Sequence, residues 1–412
     1  MLRLHITLSC HTRTFLKINF LNINNLNINR EKYVNFFHSL LTTLSYDTHT
    51  APHSTVVVPS RRRAMPQISP QASNATRSPH AAASRNVLLA ADVGGTHARI
   101  GLVRADATSG SSRALTTLAY RVYRCADHPT LEAILRDFQH EAGIESSAAC
   151  IACAGYVHGD TLINANLPWP VSIPAVTRAL GIDEVRVVND FQALAYAAHF
   201  ATLSDSIHIA GDAQLDPGHI RLALGAGTGL GAAALIPGSA RPTILATEAG
   251  HAALAPRTAL ESDILRHLRG NDVHVPNERV LSGPGLLNLY RALCAIRGVQ
   301  PTFDQPKQIT QAALAANDAL AIETVEVFCA WLGAFVGDLV MLLGAFGGVI
   351  LAGGVLPQIA SLLVRSGFAA RLADKGTLRE ALARVPVRLV EHGQLGVTGA
   401  ARWYFDHELE RT

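Results

Sequence analysis

Two glycine-rich turns carry residue types that suit phosphate binding. The first lies in VLLAADVGGTHARIGLV, residues 87–103, where two apolar runs flank Gly94-Gly95-Thr96 and predict a β-hairpin. Glycines there let backbone N–H groups approach an anion with no Cβ in the way. Asp92 closes the first run, and a carboxylate beside phosphates is repulsive unless a divalent cation lies between them. Asp92 is therefore a candidate Mg²⁺-side residue, with an ordinary tight hairpin turn as the alternative.

The second turn repeats this form in RLALGAGTGLGAAALI, residues 221–236, and contains Gly227, Thr228 and Gly229. It is not a Walker A loop because no GK[ST] follows, and not a Rossmann fingerprint because its glycines lead into another strand. Two such hairpins, about 130 residues apart, favour a duplicated unit that closes on one nucleotide from both sides.

A third glycine turn lies in GGVILAGGVLPQIASLLVRSGF, residues 347–368. A short core strand is expected to end at Gly353-Gly354, with an apolar-periodic helix after it. A glycine pair at this point allows a flat ligand such as adenine to pack against the backbone. A simple βα turn is the alternative interpretation.

Asp190 lies between the β-rich run VRVV and the helix-like FQALAYAAHF. It is thus expected at the carboxyl end of a strand, where α/β proteins build their sites. A carboxylate within hydrogen-bond reach of a hydroxyl can orient it and accept its proton. Asn189-Asp190 before a helix is also a common N-cap.

The order DVGGT, GAGTGLG, LAGG resembles the phosphate 1, phosphate 2 and adenosine motifs of the actin–hexokinase–Hsp70 ATPase superfamily. Four further segments resemble the bacterial glucokinase family: VVNDFQALAYA (187–197), TEAGH (247–251), NERVLSGPGLLNLYRAL (277–293) and AFGGVILAGGVLP (345–357). The resemblance runs from about residue 87 to the C-terminus. The cysteine-rich motif CxCGxxGC of Repressor–ORF–Kinase glucokinases is absent, so the chain is similar to the zinc-free type.

This resemblance implies an α/β protein with a two-domain duplicated ribonuclease-H-like (actin-like ATPase) fold and an interdomain cleft. The small domain would span residues 86–200 plus 394–412, and the large domain residues 201–393. It also implies a cytoplasmic homodimer.

The implied reaction is ATP-dependent phosphorylation of D-glucose at the 6-hydroxyl, which gives glucose 6-phosphate and ADP with Mg²⁺ on the phosphates. Asp190 would be the catalytic base, and Asp92 would assist the metal ion through water. The implied sugar-binding residues are Asn166 (in NANLPWP), Asn189, Asp190, Glu248, His251 and Glu278. The implied ATP-binding residues are Ala91, Asp92, Val93, Gly94, Gly95, Thr96, Gly227, Thr228 and Gly354.

Three alternatives stay open. The sugar could be another hexose such as N-acetylglucosamine, because Ala249 stands where many relatives have glycine before the histidine, and a methyl near a pocket retunes preference by about 1–3 kcal/mol. His97 in place of a common Asn, and Ala154-Gly155 where a Pro is usual, are further departures. A non-catalytic sugar-sensing regulator and a chaperone-like or filament ATPase are the other two.

Composition limits the class of protein. Of 412 residues, 49% are apolar and 16% are charged, which excludes a mostly disordered chain. Residues 1–85 carry ten basic and two acidic side chains, and the rest carries 25 and 30, so the body is mildly acidic and no nucleic-acid partner is expected. Six scattered cysteines favour reduced thiols, and Cys150 and Cys153 are expected in a buried strand.

Two segments invite other interpretations. Residues 1–85 combine Asn-rich repeats with a Pro/Ser/Arg-rich stretch, which favours disorder or a mis-assigned start (Met65 is an internal candidate) over a targeting signal. Residues 332–352 are long enough to span a membrane and hold a single charge, Asp338. Because Gly344, Gly347 and Gly348 interrupt them, we expect a buried helix, a turn and a core strand, and no membrane association.

Overall fold

The computed structural model describes residues 86–106, 114–163, 167–200, 206–238, 241–270, 273–390 and 393–408. All of them belong to one compact unit of the chain. The predictions for residues 1–85 and for Asn166 lie outside the described residues.

The described residues form α-helices and β-strands in alternation, which confirms the α/β class. The strands are β1 (Val87–Val93), β2 (His97–Ala105), β3 (Leu115–Arg124), β4 (Ala148–Cys153), β5 (Tyr156–His158), β6 (Thr161–Ile163), β7 (Val171–Ser172), β8 (Glu184–Val188), β9 (Ile207–Ala210), β10 (Arg221–Ala226), β11 (Leu230–Ile236), β12 (Thr243–Thr247), β13 (Gly348–Ala352) and β14 (Val387–Leu389). The helices are α1 (Leu131–Ala142), α2 (Ile173–Leu180), α3 (Asp190–Phe200), α4 (Ala259–Arg269), α5 (Gly283–Arg297), α6 (Pro306–Leu314), α7 (Ala319–Leu343), α8 (Ala360–Arg365), α9 (Phe368–Ala373), α10 (Arg379–Arg384) and α11 (Leu395–Glu408).

Two main sheets share one arrangement of strands. The first has the order β3-β2-β1-β4-β8, with antiparallel pairs β3-β2 and β2-β1 followed by parallel pairs β1-β4 and β4-β8. The second has the order β12-β11-β10-β13-β14-β9, again with two antiparallel pairs followed by two parallel ones before antiparallel β9. Both predicted hairpins are therefore confirmed as β1-β2 and β10-β11. Strands β5, β6 and β7 form a separate small sheet.

Helix α3 is apolar on every side and packs in the core between the two sheets, as expected for such a helix. Ala193 belongs to the apolar cluster of β1, β4 and α11, whereas Leu194 packs with Ile350 and Ala352 of the second sheet. The backbones of α3 and α11 approach closely: a Cβ on Gly399 would lie 2.0 Å from the carbonyl oxygen of Ala193. The C-terminal helix α11 thus lies against the helix that begins with Asp190.

The outer faces of the two sheets are covered by separate sets of helices. Ile134, Leu135 and Phe138 of α1 pack on the first sheet. The second sheet packs on α5, α6, α7 and α9. The CxxC cysteines are buried free thiols in β4, as predicted.

The glycine pair at 353–354 is followed by less regular helix than predicted. A 3₁₀ turn, Leu356–Ile359, comes first, and the helical segment then breaks between α8 and α9. The Ser366 hydroxyl accepts a hydrogen bond from the N–H of Phe368 at this break, so the predicted helix after the glycine pair is present but short.

The predicted buried helix over the apolar stretch is confirmed as α7. Among the described residues it is the one helix long and apolar enough to cross a membrane, and 67% of its most apolar window is buried in the protein. The single charged residue of the apolar stretch, Asp338, is paired within the protein: it accepts hydrogen bonds from Lys375 Nζ (2.7 Å) and Arg257 Nη2 (2.7 Å). The Lys375 side chain is 3% exposed.

We expect Asp338→Asn to lower the free energy of unfolding by about 2 kcal/mol at pH 7, less than for a fully buried pair because Asp338 is partly exposed. Burial already lowers the pKa of Lys375 from 10.5, and Asp338 opposes that shift. Removing Asp338 lowers the folded-state pKa further, so the unfolded state binds more protons, and the loss should shrink as the pH rises toward 10.5.

Urea unfolding at pH 7 and pH 9.5 measures this effect. The double variant Asp338→Asn/Lys375→Met is the control, because it removes the buried charge and should recover most of the loss. An equal loss at both pH values, or no recovery in the double variant, would contradict the explanation.

Candidate functional site

The first glycine turn is held by backbone contacts on both sides. The N–H of Gly94 donates to His97 O (3.0 Å), and the N–H of Cys125 donates to Thr96 O (3.0 Å). The Cys125 thiol, whose pKa is raised by burial, donates to Gly94 O (3.3 Å). These bonds use the carbonyls of the turn and leave Gly95 and Thr96 at its tip, where Thr96 is exposed.

Asp92 lies just before this turn and is 5% exposed. Its Oδ2 lies 3.4 Å from Arg99 Nη1 on the paired strand. The first turn of α11 packs against it, since a Cβ on Gly396 would lie 2.5 Å from Asp92 Cγ. The carboxylate is thus fixed at the base of the turn by residues that the sequence motif did not indicate.

The second turn is joined to two other segments. Gly227 O accepts a hydrogen bond from the N–H of Gly283 (2.8 Å), the first residue of α5. Ala226 O accepts one from the N–H of Val355 (3.2 Å). Gly353, with φ of 99°, lies against Ala226, where a Cβ would be 2.3 Å from its carbonyl oxygen. The second and third glycine motifs are therefore adjacent, as strands β10 and β13 are neighbours.

Asp190 is the first residue of α3, and only Asn189 separates it from the end of β8. Asn189 Oδ1 accepts from the N–H of Gln192 (3.1 Å), so the N-cap interpretation holds for Asn189, whose amide nitrogen can still donate. Asp190 Oδ1 accepts from the N–H of Phe191 (2.9 Å). Asp92 pairs in register with Ala152, and Ala152 pairs with Val188. Asp92 and Asn189 therefore lie at the same end of the parallel strands, two strands or roughly 10 Å apart.

Phe191 connects Asp190 to the second sheet. Its ring lies on Gly225 and Gly231, the residues that flank the second turn, where a Cβ on Gly231 would be 1.9 Å from Phe191 Cδ2. Only glycine leaves room for the ring at this point. The position of the carboxylate thus depends on a contact between the first turn of α3 and the start of β11.

Three predicted sugar-binding residues form one cluster. His251 lies between two carboxylates, with Nε2 3.8 Å from Glu248 Oε2 and Nδ1 3.9 Å from Glu278 Oε1. Glu278 Oε2 also accepts from the N–H of Leu230 (3.3 Å), the first residue of β11. A Cβ on Gly250 would lie 2.0 Å from Leu230 O, so the TEAGH segment packs on the same residue. Such a group of accessible carboxylates and imidazole can bind several hydroxyls.

The remaining predicted ATP-binding residues differ in whether their side chain or only their backbone is accessible to a nucleotide. The side chains of Ala91 and Val93 are fully buried in the core of the first sheet, so only their backbone could meet a nucleotide. Thr228 is exposed, and a Cβ on Gly227 or Gly354 would meet nothing within 4 Å. Among the described residues, no group of three or more His, Cys, Asp or Glu side chains could hold a metal ion.

Two features of the site were not predicted from the sequence: the contact of the N-terminus of α5 with the second turn, and the pairing of Arg99 with Asp92. The signal for the helix was the Ser-Gly-Pro-Gly segment: Ser282 caps the helix through a 2.9 Å hydrogen bond from the N–H of Gly285, with proline in the first turn. No local signal pairs Arg99 with Asp92, because that contact depends on the register of β1 and β2.

Comparison with known proteins identifies the family of this chain. The glucokinase family model matches residues 89–407. A glucokinase-like protein of Xylella fastidiosa (strain 9a5c) is 51% identical over 77% of this chain and 94% of its own length. A glucokinase of Hahella chejuensis is 38% identical over 78% and 98%. The crystal structure of a glucokinase from an Antarctic psychrotroph is 32% identical, with a TM-score of 0.67 over 78% of this chain and 99% of that chain. The chain therefore belongs to the glucokinase family.

Proposed function

We propose that this protein transfers the terminal phosphoryl group of ATP to the 6-hydroxyl of glucose. The observation that carries the proposal is the convergence at the start of β11. Leu230 and Gly231 contact the Glu278 carboxylate, the TEAGH segment and the Phe191 ring next to Asp190, and they directly follow the second glycine turn. A sugar-binding cluster, a candidate base and a phosphate-binding turn are thus built on two consecutive residues.

The proposed architecture is a duplicated one with a cleft. One unit would comprise residues 86–200 with α11, and the other residues 201–393. The matching strand orders of the two main sheets support this division. ATP would lie in the cleft between the turns at 94–96 and 227–229, with its adenosine near Gly354. Closure of the cleft on sugar would exclude water and suppress ATP hydrolysis.

In the reaction, the Asp190 carboxylate accepts the proton of the sugar 6-hydroxyl as its oxygen attacks the terminal phosphorus. The new O–P bond replaces the bond from phosphorus to the departing oxygen of ADP. The hydrogen bond from the N–H of Phe191 holds the carboxylate in place, and Asn189 is positioned to donate to a sugar hydroxyl. Such positioned proton transfer contributes about 10²–10⁴-fold to a rate.

Mg²⁺, when bound, neutralises the charge of the nucleotide phosphates. Asp92 fits a supporting place near that ion, because it is a buried carboxylate fixed at the base of the first turn by Arg99 and Gly396. Its pairing with Arg99 favours contact through water over direct coordination.

A panel of hexoses with ATP tests the proposed function. We expect ADP release to be fastest with glucose and the product to be glucose 6-phosphate. Faster turnover of N-acetylglucosamine or another hexose would keep the reaction and change the substrate. Tight binding of sugar without any turnover would overturn the kinase proposal in favour of a sugar-sensing regulator.

We expect Glu278→Ala to raise the KM for both glucose and ATP by about tenfold or more. Glu278 contacts His251 on the sugar side and accepts from Leu230 N–H beside the second turn, and a backbone donor that loses its partner costs about 1–3 kcal/mol. Glu248→Ala is the matched control. Its side chain is 77% exposed and reaches His251 alone among these groups, so the KM for glucose alone should rise. An unchanged KM for ATP in Glu278→Ala would contradict this explanation.

A further inference from the structure

One face of the first sheet carries four ionisable side chains at the end of the strands that bears the first glycine turn. Asp92 pairs in register with Arg99, and His97 pairs with Arg124 at the end of β3. Residues two apart on a strand share a face, and residues in register across strands do too. Asp92, His97, Arg99 and Arg124 therefore lie on the side of the sheet that packs on α11 and α3.

The charges on this face do not cancel. Arg99 is offset by Asp92 at 3.4 Å. Burial lowers the pKa of His97, and the charges of Arg99 and Arg124 lower it further, so His97 is neutral at pH 7. Arg124 forms no ion pair with any carboxylate of the described residues. One positive charge thus remains beside the turn.

Arg124 also lines a pocket with the tip of that turn. The pocket has a volume of about 240 Å³, and its lining residues are Gly95, Thr96, Arg124, Ala126, Leu167 and Pro168. The next residue, Cys125, bonds to both ends of the turn through its N–H and its thiol. The backbone that carries Arg124 is therefore fixed relative to Gly95 and Thr96.

We infer that the Arg124 guanidinium binds the phosphoryl group in transfer, first as the terminal phosphate of the nucleotide and then as the phosphate of the sugar product. The inference rests on the proposed function for the identity of the two ligands. A guanidinium presents two parallel N–H donors that match phosphate oxygens, and it offsets the negative charge that Gly95 and Thr96 alone could meet only with dipoles.

A neighbouring arginine provides the comparison. Arg121 is on the same strand, three residues away, and so faces the opposite side of the sheet. It lies 3.6 Å from Glu141. Arg121 is exposed like Arg124, but the pocket that it lines also contains the Glu141 carboxylate and lies away from the glycine turn, so it is not suited to an anion.

Calorimetric titration of Arg124→Ala, Arg124→Lys and Arg121→Ala tests the inference. The ligands are a non-hydrolysable ATP analogue, ADP, glucose and glucose 6-phosphate. We expect Arg124→Ala to raise the Kd for the analogue and for glucose 6-phosphate by about tenfold or more. The Kd for ADP and the Kd for glucose should change less than about threefold. Arg124→Lys should lie between, because lysine keeps the charge without the paired donors. Arg121→Ala should match the unmodified protein.

Equal weakening of the analogue and ADP, or no weakening of either, overturns the inference. Because binding is measured without turnover, the outcomes separate. Arg124-dependent binding of the analogue in a protein that phosphorylates no hexose would reject the proposed function and keep the nucleotide half of the inference. Glucose phosphorylation by a protein whose Arg124→Ala variant has unchanged affinities would keep the proposed function and reject the inference about Arg124.

Discussion

Asp190→Asn is expected to lower kcat for glucose phosphorylation by about 10³-fold, with little change in the Kd for glucose. The asparagine keeps an oxygen that can accept from the N–H of Phe191, so the 2.9 Å hydrogen bond at the start of α3 survives. What is lost is the group that accepts the proton of the attacking hydroxyl. The helix N-terminus also loses one negative charge, which costs about 0.3–1 kcal/mol and leaves the protein folded.

The measurement is a coupled assay of ADP release together with glucose titration and thermal unfolding. Glu132→Gln is the matched control, since Glu132 also lies in the first turn of a helix, α1, away from the site. It should lose a similar small amount of stability and keep full activity. Retention of more than about a tenth of the activity in Asp190→Asn would reject Asp190 as the base.

Gly231→Ala is expected to reduce both stability and activity, because the new methyl would occupy the position of the Phe191 ring. The Cβ would lie 1.9 Å, 2.0 Å and 2.7 Å from three atoms of that ring, so the whole ring has to move. Overpacking of this kind costs about 1–3 kcal/mol. The ring belongs to the residue after Asp190, and its displacement shifts the carboxylate from the sugar, for which we expect about a 10²-fold loss in kcat/KM.

Two comparisons isolate the cause. Phe191→Leu in the Gly231→Ala background gives the methyl more room and should recover part of the lost stability. Gly143→Ala, in a left-handed C-cap with no atom within 4 Å of the new Cβ, should cost stability without costing activity. If Gly231→Ala unfolds at the same temperature as the unmodified protein and keeps its kcat/KM, the proposed dependence of Asp190 on this contact is wrong.

The elements of the site were predictable from local sequence, because each depends on a short-range pattern. Apolar runs on either side of Gly94-Gly95-Thr96 and of the turn at 227–229 require hairpins, and both are present as β1-β2 and β10-β11. The helix after Asp190 and the buried helix with Asp338 follow from apolar composition with few breakers. The break after Arg365 was not predicted, since a serine at a helix break is indistinguishable in sequence from one on a helix surface.

The sequence by itself therefore determined the family, the hairpins and the residue types that the chemistry needs. Only the tertiary structure decided which of them meet: the Phe191 ring on Gly231, His251 between Glu248 and Glu278, and Gly396 against Asp92. The physical reason is range. A turn or helix is specified by neighbours within a few residues, whereas these contacts join segments that are far apart in the chain and are set by strand register and by the packing of α3 and α11 between two sheets.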